Sequence, residues 1–256
     1  MNKIRQAFEN GKAFIPFITC GDPDVETTMA CVREMVKSGA DLIELGIPFS
    51  DPTAEGPVIQ GANLRALTGG VTTDRIFEMV RELRGDVAVP MVFMTYANVV
   101  FSYGAERFIS TCAGIGIDGL ILPDLPFEEK EEFLAVCRAH GVALISLIAP
   151  TSENRVAMIA GEAEGFIYLV SSLGVTGVRS SITTDLEPIV RTIRANTDVP
   201  CAIGFGISNP EQAKKMAEKA DGVIVGSAIV KIIAQYGKDA APYVGASVKE
   251  MKDAVR

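Results

Sequence analysis

Short apolar runs alternate along this chain with longer stretches in which apolar residues recur every third or fourth position. The first pattern marks buried strands and the second amphipathic helices. AFIPFIT (13–19) reads as the first strand, and Val25, Met29, Val32 and Val36 form the inner stripe of a helix over 25–37. LIEL (42–45) is the second strand and VPMVFMT (89–95) the third; a helix over 104–114 then leads to GLILPDLP (119–126) as the fourth. FEEKEEFLAVCRAHG is a helix stopped by Gly141, VALISLIAP the fifth strand, 152–161 a helix, and GFIYLVS (165–171) the sixth strand. A helix over 184–196, the strand CAIGFG (201–206), a helix over 209–219 and the strand GVIVG (222–226) complete the alternation. Residues 2–10, with Ile4 and Phe8 one helical turn apart, predict a short helix ahead of it, and 239–256, with Val244, Val248, Met251 and Val255 on one stripe, a last one. The echoes GADLIEL, GIDGLIL, GVALISL and ADGVIVG mark the repeat. Alternation of this kind makes a parallel sheet, closed or doubly wound, and the count of eight strands favours closure. The expectation is an α/β fold, a single (β/α)8 TIM barrel over 1–256, with an extra N-terminal helix and a short helix after strand eight.

Composition narrows the partners. A net charge of −8 with no basic cluster argues against nucleic acid and anionic membranes. Five scattered cysteines, never spaced C-x-x-C, read as reduced thiols, and no apolar run approaches 18 residues, so a cytoplasmic protein with no membrane span is expected.

One acid breaks the pattern. Glu44 lies inside the apolar run LIEL, and with period-2 alternation it shares a face with Leu42 while Ile43 and Leu45 take the other. A buried carboxyl has its pKa raised, which suits a general acid or base at neutral pH; an ion pair at a strand end is the structural alternative. Eleven positions on, a loop stiffened by Pro48, Pro52 and Pro57 carries a second acid, Glu55, placing two carboxylates at the C-terminal end of one strand. Barrel chemistry gathers at those ends. Asp22 sits in a C-G-D-P turn and reads as a turn acid, and His140, ending a helix, as a C-terminal cap.

Three glycine-bearing turns follow the last three strands: SSLGVTG (171–177), GFGIS (204–208) and VGSA (225–228). Glycine lets backbone approach a ligand closely, and Gly226-Ser227 opens directly into a helical pattern whose first amides suit a phosphate. Each turn alone is explained by loop geometry; together they predict a phosphate site.

These motifs resemble the tryptophan synthase α subunit family. The likeness runs through PFITxGDP (16–23), ELGIPFSDP (44–52), GPVIQ (56–60), YAN (96–98), PDLP (123–126), GVTG (174–177), GFGIS (204–208) and GSAIV (226–230). It implies retro-aldol cleavage of indole-3-glycerol phosphate to indole and glyceraldehyde-3-phosphate. It also implies a β-subunit partner in an α2β2 assembly, with pyridoxal phosphate held only by that partner and no cofactor or metal in this chain. By the resemblance Glu44 is the catalytic acid/base and Glu55 stands where the family usually has Asp. Phe17, Met94, Ile121, Tyr168 and Phe205 match indole-pocket positions; Gly177, Gly206, Gly226 and Ser227 match the phosphate site; and Thr176 belongs to a lid over 171–185. Two departures accompany Glu55: Thr53 where Leu is usual, and Ser172 where Arg is common. The smaller Thr53 is expected to give the longer acid room. Loop two, with Val99 and Phe101, is expected to face the β subunit. A different phosphate-sugar enzyme on the same barrel, or a non-catalytic regulator of a β subunit, are the competing readings.

Overall fold

The computed structural model describes residues 3–171 and 185–255. Its eight strands are β1 (Ala13–Thr19), β2 (Ile43–Gly46), β3 (Met91–Met94), β4 (Gly119–Ile121), β5 (Ala143–Ile148), β6 (Ile167–Val170), β7 (Cys201–Gly204) and β8 (Gly222–Val225). All pair in parallel with their sequence neighbours, and β1 closes on β8 through Ala13 opposite Gly222. Closure decides the alternative left open by alternation: this is a barrel, not a doubly wound sheet. Around it lie α1 (Lys3–Gln6), α2 (Val25–Lys37), α3 (Pro57–Thr68), α4 (Thr73–Leu83), α5 (Ala97–Tyr103), α6 (Ala105–Ile115), α7 (Glu131–His140), α8 (Glu153–Gly161), α9 (Glu187–Asn196), α10 (Pro210–Ala217), α11 (Ser227–Tyr236) and α12 (Ala241–Val255).

Strand periodicity sorts the core into two shells. Phe14, Ile18, Ile43, Leu45, Phe93, Ile167 and Ile203 face outward and pack under the helices. Ile15, Leu42, Val92, Ile145, Phe166, Ala202 and Ile224 fill the barrel itself. Layers of inward side chains make the lower barrel a packed core rather than a pore.

The N-terminal segment is shorter as a helix than its pattern predicts. After Gln6 the chain continues in tight turns, Ala7, Phe8 and Glu9 each donating to a carbonyl three residues back. Its function is to close the barrel floor. Ile4 is fully buried within the inner shell and Phe8 packs beside it. A Cβ at Gly119 or Gly165 would lie 3.1 or 3.2 Å from the Ile4 side chain, and one at Gly222 3.1 Å from the Phe8 ring. Those glycines make room for the plug, so the open end of the barrel is the other one, where the strands' C-termini lie.

The loop between β2 and α4 is not loop throughout: 57–68 forms α3, entered through Gly56 with Pro57 in its first turn. It is pinned to the end of β1 by Arg65, which grips Asp22 with two bonds of 2.7 and 2.8 Å. Asp22 is 1% exposed. The turn acid of the sequence is thus the buried half of an ion pair, and it fixes a helix.

Candidate active site

At the C-terminal end of the barrel a cleft is lined by Phe17, Glu44, Glu55, Met94, Tyr96, Tyr168, Phe205, Gly206, Gly226 and Ser227, with Ala54, Ile59, Pro123, Ile207 and Ile224. Its walls are mostly aromatic or aliphatic, as suits a flat apolar ligand, and its polar groups are few.

Glu44 stands opposite Phe17 of β1 and Val92 of β3 and points into the barrel, as its alternation with Leu42 predicts. It is 1% exposed, and neither carboxyl oxygen has a hydrogen-bond partner. Among the described residues, then, Glu44 is in no ion pair. Burial pushes its pKa up from 4.5 to about 8. At neutral pH the group is mainly protonated, a proton donor facing a cleft.

Glu55 reaches the same cleft from the loop before α3. Its Oε2 accepts from the Asn63 side-chain amide at 2.6 Å, and the Tyr96 hydroxyl lies close to it. Burial raises its pKa to about 7, and the Asn63 amide and the Tyr96 hydroxyl oppose the rise. Two carboxyls thus share one site, both raised by burial, with neighbouring donors opposing the rise at Glu55 alone.

Tyr168, 4% exposed, projects from β6 with its ring edge-on to Phe205 at 6.1 Å. Its pKa is raised by burial and by the nearby Glu44. The ring lies where a side chain at Gly204 would be: a Cβ there would sit 2.5 Å from Cε1 and 2.6 Å from the hydroxyl. Gly204→Ala is expected to push Tyr168 into the cleft and raise KM about tenfold or more, with thermal unfolding little changed; steady-state kinetics and circular dichroism check both.

Phe205 is the one non-glycine residue among those described with a positive φ, +76°. Such backbone costs about 1–3 kcal/mol and persists where its surroundings hold it. Ser171 does so, its hydroxyl donating to the Phe205 carbonyl at 2.7 Å. Phe17 lies against two glycines: a Cβ at Gly46 would be 2.5 Å from its ring, and one at Gly226 3.3 Å. Gly226 precedes α11, whose first residue, Ser227, is 7% exposed.

The sequence model of the family described as "Tryptophan synthase alpha chain" matches residues 4–256. The chain belongs to the tryptophan synthase alpha chain family. A family relative from Lacticaseibacillus casei is 48% identical over 255 residues, covering 100% of this chain and 96% of that one. Another, from Lactiplantibacillus plantarum, is 51% identical over 237 residues, covering 92% and 90%. Among solved structures, the tryptophan synthase subunit alpha of Legionella pneumophila superposes with a TM-score of 0.88 at 38% identity, covering 100% of this chain and 98% of that one. A Mycobacterium tuberculosis tryptophan synthase structure gives 0.88 at 35% identity, covering 99% and 96%.

Against the family pattern, the remaining sequence-derived positions fall as follows. Ile121 is fully buried within the barrel filling; the cleft wall on that side is Pro123, two residues on. Gly177, Thr176, Ser172 and most of the expected lid at 171–185 lie outside the described residues. Thr53 is exposed, so its small size opens no internal room for Glu55. What receives the longer acid is the Asn63 amide, a group that no motif in the sequence marks. His140 pairs with Glu106 of α6 at 2.6 Å, far from any wall of the cleft. Asp124 accepts from the Ala97 amide at 2.9 Å and so fixes the start of α5. Among the described residues no cluster of three or more metal-ligating side chains occurs, and no helix is long and apolar enough to cross a membrane.

Proposed function

We propose that this chain cleaves indole-3-glycerol phosphate to indole and glyceraldehyde-3-phosphate, the α reaction of tryptophan synthase. The observation that carries the reading is Glu44: a carboxyl with no partner, held protonated by burial at the end of an aromatic-lined cleft. Retro-aldol cleavage needs the indole ring carbon that bears the glycerol chain to be protonated first. Glu44 supplies that proton, and the positive charge then formed at the ring nitrogen is met by Glu55 accepting its N–H. Glu44, now a carboxylate, takes the proton of the glycerol hydroxyl. The carbon–carbon bond breaks, its electrons restore the indole ring, and the hydroxyl carbon leaves as the aldehyde. Glu44 ends protonated, as it began.

Phe17, Met94, Tyr168 and Phe205 sandwich the ring in this reading, while the backbone at Gly206, Gly226 and Ser227 receives the phosphate at the start of α11. The partner is a tryptophan synthase β subunit, which holds the pyridoxal phosphate. Phe101 on α5, 65% exposed, supports a docking face beside loop two, whereas Val99 packs partly into the core.

The test is turnover of indole-3-glycerol phosphate against simple sugar phosphates, with and without a β subunit. Indole formation from the first alone is expected; turnover of sugar phosphates, or none without detectable indole in a single turnover, would favour the competing readings. The pH profile carries the mechanism. Activity requires Glu55 ionised and Glu44 protonated, so kcat/KM should fall below about 7 as Glu55 gains its proton and above about 8 as Glu44 loses its own. A narrow bell is expected, and Glu55→Gln should remove its acidic limb.

A further inference from the structure

Asn63 is a poor choice for a buried helix position. It lies on α3, 4% exposed, beside Ile59, Ala62 and Ala66, where an apolar residue would pack as well and favour the helix more. Its amide nitrogen donates at 2.6 Å to Glu55 Oε2 and reaches the Phe49 carbonyl at 3.4 Å. One side chain thus bridges both halves of the loop that carries Glu55. The helix beneath it is immobilised two residues later by the Arg65 grip on buried Asp22. From the other side the Tyr96 hydroxyl accepts the Ala54 amide at 3.1 Å, fixing the residue just before Glu55.

The charges around Glu55 give this contact its weight. Glu44 faces the cleft from β2, Tyr168 from β6 and Tyr96 from the end of β3, with Asp124 acting on Tyr96 from beyond β4. No lysine or arginine lines the cleft among the described residues. Among the described residues only neutral donors are available to hold an anion there.

We propose that Asn63 is the positioning residue for Glu55: its amide aims the carboxylate into the cleft and keeps it an acceptor for the ring N–H of the substrate. The proposal rests on the reaction assigned above and adds to it how this chain supports a glutamate at the second acid position. Asn63 touches no reacting atom and acts through Glu55 alone. The 2.6 Å contact is made by Oε2 of the longer side chain, so the extra methylene is used to reach α3.

The experiment compares the pH dependence of kcat/KM in the wild type, Asn63→Leu and Asn63→Ala. Leu keeps the volume and removes the donor; Ala is the second variant should Leu disturb the helix, and circular dichroism reports the fold of each. Loss of a donor to an anion should move the acidic limb upward by about one pH unit, a loss of about tenfold in kcat/KM on that limb, while the alkaline limb set by Glu44 stays. A uniform loss at every pH with both limbs unmoved would reduce Asn63 to packing, and an unchanged profile would make the contact idle; either overturns the proposal. The Glu55 carboxylate band, read by infrared difference between each protein and its Glu55→Gln counterpart, needs no turnover. Should the wild type form no indole, the reaction assignment fails on its own; should the Glu55 band titrate identically with and without the Asn63 amide, the positioning role fails on its own.

Discussion

Glu44→Gln is expected to lower the rate of indole formation by at least ~10²-fold, because the amide keeps the shape and removes the exchangeable acid. The same substitution should change the pH dependence of stability in a defined direction. Folding raises the Glu44 pKa from 4.5 to about 8, so between those values the unfolded chain has released a proton that the native chain retains. Stability of the wild type therefore declines with rising pH through that window, by up to about 1.4 kcal/mol per pH unit from this group. Glutamine has no such slope. The unfolding midpoint of the variant minus that of the wild type should grow from pH 5 to pH 8 and level off above, as measured by urea unfolding at fixed temperature. Near wild-type turnover would remove Glu44 from the mechanism; a pH-independent difference in midpoint would mean that the carboxyl finds partners or solvent in the native state. A catalytic group that costs stability at working pH is the expected trade at a preorganised site.

Much of the architecture was legible because strand burial writes itself into sequence. The predicted 13–19 and 25–37 coincide with Ala13–Thr19 and Val25–Lys37; β2 runs one residue past its predicted 42–45, to Gly46, and the other strands fall within their predicted runs. Glu44 was legible for the same reason: one charge in an apolar run has few explanations. α3 was not, since its buried face is Ile59 followed only by Ala62, Asn63 and Ala66, one large apolar residue among small or polar ones and a weak stripe. α5 was hidden by its brevity. Asn63 escaped notice along with its helix, although a buried-face asparagine one helical turn before the Leu67-Thr68-Gly69 exit was the available signal. Tyr96 lies in the YAN motif, yet its bond to the Ala54 amide joins residues 42 apart, a pairing no local pattern encodes. The N-terminal plug shows the converse: Ile4 and Phe8 gave the right inward pair, one buried and one partly so, but the barrel floor, not helix propensity, sets their backbone.

Glu55→Asp is expected to lower turnover by roughly 10- to 100-fold, although aspartate is the family's usual residue here. Shortening the side chain by one methylene withdraws the carboxylate by about 1.5 Å, so the 2.6 Å bond to Asn63 would open beyond hydrogen-bonding range. Neither end of that gap is free to close it. α3 is tied to β1 through Arg65 and Asp22, and the loop is held at Ala54 by Tyr96. Adding Thr53→Leu should not restore the rate, because Thr53 is exposed and a larger residue there fills solvent rather than a void beside Glu55. This reverses the compensation that side-chain size alone suggests. Steady-state kinetics on Glu55→Asp, Thr53→Leu and the double variant distinguish the accounts: a rate recovered by Thr53→Leu would place the compensation at position 53 after all, and a rate raised by Glu55→Asp alone would mean that glutamate is a lesion in this site and that Asn63 holds it away from the substrate.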